Sequence, residues 1–144
     1  MSNPTTDLSV DAQNFNWLVS RFAKETGDVI SAIAVSSDGL LIATSAKLSR
    51  ANADRLAAIC AAMLSLAHGV SECHPLGEPD KVVIELTDGY LLVCTISAGC
   101  ALGVLASPQA SLGTVAYEMT MFADSSSAVL TPQLIEQLKM TVGT

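Results

Sequence analysis

"SSDGLLIATS" (Ser36–Ser45) and "LTDGYLLVCT" (Leu86–Thr95) write the same phrase twice: an apolar run resumes directly after Asp-Gly. Asp-Gly supplies the left-handed backbone that tight hairpins favour, so each phrase predicts a pair of antiparallel strands. Ahead of the first lies "VISAIAV" (Val29–Val35), apolar on both faces, which requires a layer above and a layer below the sheet. Ahead of the second lies "KVVIEL" (Lys81–Leu86), where Val82, Ile84 and Leu86 alternate with Val83 and Glu85. Pro79 at its entrance and Glu85 on one face suit an edge strand. A further turn at Ala98-Gly99 takes "YLLVCTIS" into "CALGVLA", and the last three strands form a meander.

Helical patterns fill the gaps. Residues 1–8 read as a disordered polar tail, after which Ser9 can cap a helix bearing Phe15, Leu18, Val19 and Phe22 on one face, closed by Gly27. Ser49 or Asn52 can cap the second helix, which is expected to reach about His68 and stop at Gly69. Pro108 opens a third helix with a stripe of Leu112, Val115, Ala116, Met119 and Phe122. Thr131-Pro132 starts a short last helix carrying Leu134, Ile135 and Leu138. The expected fold is α+β, in the order α-β-β-α-β-β-β-α, with a five-stranded antiparallel sheet between helices. One domain over residues 9–127 is followed by a C-terminal helical extension, 128–144.

Composition narrows the function. Of 144 residues, half are hydrophobic, 15% charged and 4% aromatic, so small and aliphatic side chains must build the core and leave apolar surface for a partner. The net charge of -7, without any basic cluster, argues against nucleic acid. The N-terminal segment has neither the charge nor the apolar run of a secretory signal. The apolar stretch Leu56–Ala67 is shorter than the roughly 20 residues a bilayer requires. A cytoplasmic protein that is not integral to the membrane is expected.

Catalytic patterns are missing. No phosphate-binding G-x-x-x-x-G-K-[ST], no G-x-S-x-G and no H-E-x-x-H occurs, and His68 and His74 are the only histidines. Cys60, Cys73, Cys94 and Cys100 lack metal-site spacing. No catalytic residue, metal or cofactor is therefore assigned, and the chain is expected not to be an enzyme. Trp17 falls outside the stripe of its helix, and two readings of it stay open: an interface anchor, or a lid over the C-terminal helix.

The second helix is the informative one. On a helical wheel, Leu56, Ile59, Met63, Leu66 and Val70 gather on the side expected to lie on the sheet. Opposite stand Ala58, Ala61, Ala62 and Ser65, bounded by Asp54, Arg55 and His68, while Ala57, Cys60 and Leu64 fill the flank. No charge interrupts Leu56–Ala67, where a solvated helix would carry Lys and Glu pairs. Association through this helix and through the unpaired strand Lys81–Leu86 follows as the expectation.

"GDVISAIAVSSDGLLIATS", "ADRLAAICAAMLSLAHG", "VVIELTDGYLLV" and "ALGVLASPQASLGTVAYEM", in this order and spacing, resemble the roadblock/light-chain domain family, from about Phe15 to Asp124. The resemblance implies that the second helix covers one face of the sheet and the first and third helices cover the other. It also implies homodimers joined by third strands and second helices. The dimer interface is accordingly assigned to Ala57, Cys60, Leu64, Lys81, Val82, Val83, Ile84 and Glu85. Partner binding is assigned to Asp54, Arg55, Ala58, Ala61, Ala62 and Ser65, because members of the family typically bind Ras-like small GTPases as scaffolds or regulators. The tail "AVLTPQLIEQL" resembles a bacterial subgroup associated with a sensor-kinase-like protein, which implies such a partner and recruitment to a membrane-associated complex. A purely structural adaptor and a small-ligand module are the competing readings; the latter requires a polar-lined pocket, for which few convergent polar residues stand out. Arg50 and Arg55 fall near the partner-binding platform, and an arginine supplied in trans can stabilise phosphoryl transfer; unmarked by any motif, they are read in preference as ordinary solvated helix-start residues.

Overall fold

The computed structural model describes residues 4–45 and 47–143, with side chains at positions 10–45 and 47–140. Its elements run α1 (Pro4–Glu25), β1 (Val29–Ser36), β2 (Leu41–Thr44), α2 (Arg50–Cys73), β3 (Lys81–Leu86), β4 (Gly89–Ser97), β5 (Cys100–Ala106), α3 (Leu112–Ser126) and α4 (Pro132–Gly143). The sheet is antiparallel, in the order β2-β1-β5-β4-β3.

Strand β1 lies inside the sheet and splits its side chains between two cores, as its doubly apolar sequence requires. Ala32 and Ala34 face a layer built by α1, α3 and α4, where Phe15, Phe22, Met119 and Phe122 meet Leu92, Leu102 and Val104. Ile33 and Val35 face α2, together with Leu41, Leu91, Val93 and Ala101. The two faces are unequally covered, since three helices lie on one and a single helix on the other.

Several element ends differ from expectation. Helix α1 begins at Pro4 rather than after Ser9, so residues 4–8 are helical and not a disordered tail; residues 1–3 lie outside the described residues. A proline costs nothing in a first turn, whose N–H groups have no intrahelical acceptor. Helix α2 passes Gly69 and ends at Cys73, with the His74 N–H donating to the Val70 carbonyl. Glycine weakens a helix interior by about 1 kcal/mol without breaking it. The stop comes from Pro75, which forces the residue before it into extended backbone, and His74 has φ -137° and ψ 141°. Helix α3 starts at Leu112 instead of Pro108, because the Ser111 hydroxyl accepts from the Thr114 N–H and caps it.

The two Asp-Gly phrases turn out to use different physics. Gly39 has φ 85° and supplies the left-handed turn residue between β1 and β2. Gly89 is already paired in the sheet, opposite Leu86, and a Cβ there would lie 2.6 Å from the Ala106 carbonyl oxygen. Its role is to admit the neighbouring backbone.

The C-terminal segment is part of the same core rather than an appendage. Thr131 Oγ1 accepts from the Leu134 N–H at 3.1 Å, and Leu130, Leu134, Ile135 and Leu138 are buried with α1 and the sheet. Lys139 Nζ reaches across to Asp38 Oδ2 at 3.1 Å, tying α4 to the β1–β2 turn. The Ser36 hydroxyl, which donates to Asp38, and then the Lys139 ammonium hold the Asp38 carboxyl below its ordinary range. A lowered carboxyl stabilises the fold above its unfolded value, and this tie is lost as pH falls through the folded value.

One contact sets how closely α2 lies on the sheet. A Cβ at Gly103 of β5 would sit 2.6 Å from Cys60 Sγ and 3.3 Å from Ile33 Cγ1. Gly103→Ala is expected to lower unfolding free energy by about 1–3 kcal/mol through overpacking. Adding Cys60→Ala removes the clashing sulfur, so the double variant should recover most of that loss in urea denaturation. Strictly additive losses would contradict the contact.

Candidate interaction surface

Helix α2 is capped by Ser49, whose hydroxyl accepts from the Asn52 N–H, and its first turn is braced by Arg50 Nε on Asp54 Oδ1 at 3.0 Å. Its sheet-facing side consists of Ala53, Leu56, Ala57 and Cys60, all buried, with Ala61 and Leu64 half-buried beside them. Small side chains on this side let the helix approach Gly103. The consequence is a helix turned by roughly a quarter turn from the orientation expected from sequence.

This rotation reverses several assignments. Ile59, Met63, Leu66 and Val70 were expected on the sheet; instead Ile59 is 47% exposed, Leu66 66% and Val70 53%, with Met63 half-buried. Ala57 and Cys60, assigned to a dimer interface, are wholly buried within the subunit and have no surface left for a partner. Leu64 packs against the α2-side core. Of the residues assigned to partner binding, Asp54, Arg55, Ala58, Ala62 and Ser65 are exposed, whereas Ala61 is half-buried and lies close to Gly39 of the β1–β2 turn. The sequence carried a usable signal: Ala53, Ala57 and Cys60 form a small-residue face that matches the single glycine inside β5.

Strand β3 stands at the sheet border, paired with β4 from Lys81 to Leu86 and with no strand beyond it among the described residues. Val82 and Ile84 lean on the α2-side core and are half-buried; Val83 is 47% exposed, and Glu85 and Leu86 are exposed. Lys81 is held by Thr120 Oγ1 at 2.7 Å and Asp80 Oδ2 at 3.0 Å. The border thus presents unpaired backbone groups beside an apolar helix face that carries no charge from Leu56 to Ala67. A surface of this kind costs little to desolvate. By length and composition α2 is also apolar enough to cross a bilayer, which the shorter stretch read from sequence was not, yet in the fold one side of it is committed to the sheet.

Elsewhere the chemistry is sparse. His68 Nδ1 meets Glu78 Oε2 at 3.3 Å, and no group of three His, Cys, Asp or Glu among the described residues is placed to hold a metal ion. Trp17 does not close over α4: it is 58% exposed, with the Arg21 guanidinium 5.3 Å from its ring centre.

The chain belongs to the Roadblock/LC7 domain family, whose sequence profile matches residues 15–106. A Roadblock/LC7 domain from Streptomyces avermitilis is 31% identical, with a TM-score of 0.72 over 77% of this chain and 92% of that one. MglB from Myxococcus xanthus, 18% identical, shares the fold with a TM-score of 0.73 over 81% and 94%. An MglB with a tetrameric arrangement, 16% identical, gives 0.71 over 89% and 92%. Curated proteins yield no match.

Thiol reactivity tests the burial. Burial pushes the Cys60 and Cys100 thiols up to about 12 and the Cys94 thiol up to about 11, whereas Cys73 is exposed. A disulfide reagent at pH 8 is expected to titrate one thiol in the native protein and four after unfolding, with Cys73→Ser abolishing the native reaction. Rapid native labelling of Cys60 would contradict the packing of α2.

Proposed function

We propose that two copies of this chain join through β3 and the outer side of α2, and that the joined helices form a platform which binds a Ras-like small GTPase and regulates or scaffolds it. The observation that carries this reading is the stripe of exposed Ile59, Leu66 and Val70, with half-buried Met63 between them, next to a sheet border with no further strand among the described residues. Each large aliphatic side chain moved out of water contributes roughly 1.5–3 kcal/mol at full burial. A twofold pairing of β3 with itself would satisfy its open backbone groups and place the two α2 helices side by side.

Within that dimer the interface residues are Ile59, Met63, Leu66 and Val70 together with Lys81, Val82, Val83, Ile84 and Glu85. Ala58, Ala62 and Ser65 are left as a shallow, uncharged floor, with Asp54 and Arg55 at its rim. The GTPase follows from membership of the family and the properties its resemblance implies. In this reading the protein is a cytoplasmic regulator or scaffold without catalysis of its own, drawn to a membrane-associated complex by a sensor-kinase-like partner. The second reading, an adaptor with no effect on nucleotide state, shares the same surface.

Light scattering at micromolar concentration is expected to give a dimer for the native chain and a folded monomer for Ile59→Asp/Leu66→Asp. A monomeric native protein would sink the dimer. Ala62→Glu should abolish binding of the cognate GTPase while the dimer and its melting temperature persist; unchanged binding rules out the platform. GTP hydrolysis measured with and without the protein separates regulator from adaptor.

A further inference from the structure

The backbone groups left open along β3 can be identified strand by strand from the far side of the sheet. The Ser45 N–H donates to the Ala32 carbonyl, so Ala32 and Ala34 of β1 address β2, while Ser31, Ile33 and Val35 address β5. Their partners Leu105, Gly103 and Ala101 therefore point back at β1, which leaves Leu102 and Val104 for β4. Opposite these, Cys94 and Leu92 are engaged with β5, and Val93 and Leu91 turn to Val82 and Ile84 of β3. No register shift interrupts these pairs. The N–H and C=O groups of Lys81, Val83 and Glu85 are thus the ones that face outward.

Their side chains share the α3 face, because Val82 and Ile84 lean on the α2-side core and Lys81 Nζ donates to Thr120 Oγ1 of α3 at 2.7 Å. A second hydrogen of that ammonium goes to Asp80 Oδ2 at 3.0 Å, and the third is still to give. Glu85 is exposed, and its carboxylate has no hydrogen bond or ion pair among the described residues.

Two copies related by a twofold axis pair antiparallel, and an outward residue can exchange both its bonds only with another outward residue. Centring the pairing on Val83 sets Val83 against its own copy and Lys81 against the partner's Glu85 at both ends, so all three outward residues are bonded. Centring one residue earlier puts Glu85 opposite the partner's Pro79, which has no N–H. One residue later, Lys81 meets the partner's Thr87, which lies in the β3–β4 turn. Further slips face Lys81 with Lys81 or Glu85 with Glu85, and like charges directly opposite repel.

Resting on the dimer proposed above, we infer that β3 recognises a second copy of this chain in a single register, with Val83 on the twofold axis and two reciprocal Lys81–Glu85 ion pairs across it. On the α2 face the same register lays Val82 beside the partner's Ile84. A border with like charges at these two positions is refused, so the pairing selects self. Glu85 attracts the matching copy instead of merely guarding an open edge.

Dimer dissociation constants from sedimentation equilibrium at low salt, where the pairs are least screened, test the register. Glu85→Lys and Lys81→Glu are each expected to weaken the dimer about tenfold or more, since both reciprocal pairs turn repulsive. Mixed together, the two variants should form a heterodimer about as tight as the native dimer, because each supplies the charge the other lacks. Glu85→Gln should loosen the dimer, whereas removing a mere guard would tighten it. In a Cys73→Ser background, Val83→Cys should cross-link under copper-catalysed oxidation, the opposed Cα atoms lying about 5.5 Å apart, while Glu85→Cys should not. Glu85→Lys breaks no side-chain contact within the subunit, and an unchanged melting temperature establishes that it is folded. A native dimer indifferent to Glu85→Lys, tightened by Glu85→Gln, not restored by mixing, or cross-linked through Glu85→Cys but not Val83→Cys overturns the register and leaves the dimer standing. A native chain that stays monomeric overturns both.

Discussion

The close approach of Cys60 to Gly103 decides how this molecule meets its surroundings. With no side chain on β5 at that point, α2 settles onto the sheet along its smallest residues, Ala53, Ala57 and Cys60. A helix can turn only one side to a sheet, so its other apolar side, from Ile59 to Val70, is turned outward. The opposite face of the sheet shows no such imbalance, because α1, α3 and α4 together cover it with Phe15, Phe22, Phe122 and Leu134. Thus the under-covered layer of the fold is also its candidate interaction surface.

Much of the architecture was legible because local rules and tertiary packing agree. The strands, their hairpins at Gly39 and Gly99, the Ser49 and Thr131 caps and the buried stripe of Val115, Met119 and Phe122 all follow from periodicity and turn chemistry. Family resemblance extended this to the layering, with α2 alone on its face. The rotation of α2 was not legible by the same means. Its sequence is apolar on two sides, and periodicity weighs Leu66 above Ala57, although the sheet accepts only the smaller residue opposite Gly103. Gly69 and Gly89 misled for a related reason: one lies within a helix held by its neighbours, and the other answers to a carbonyl seventeen positions away in Ala106.

The sequence reading placed the candidate surface on α2 and β3, and burial within the subunit removes part of its residue list. Val83 and Glu85 stand at an open border as expected, while Ala57 and Cys60 exchange places with Ile59 and Leu66. This surface comes from one geometry, a long helix anchored to the sheet by its first three turns, with no fully buried residue thereafter.

Amide hydrogen exchange along β3 tests the central claim most directly. If a second copy completes the sheet, the outward-facing N–H groups of Lys81–Leu86 will exchange as slowly as those of β4 at concentrations where the dimer forms, and will speed up on dilution. Fast exchange of those amides at every concentration, with β4 protected, would show that the border faces water and would contradict the account.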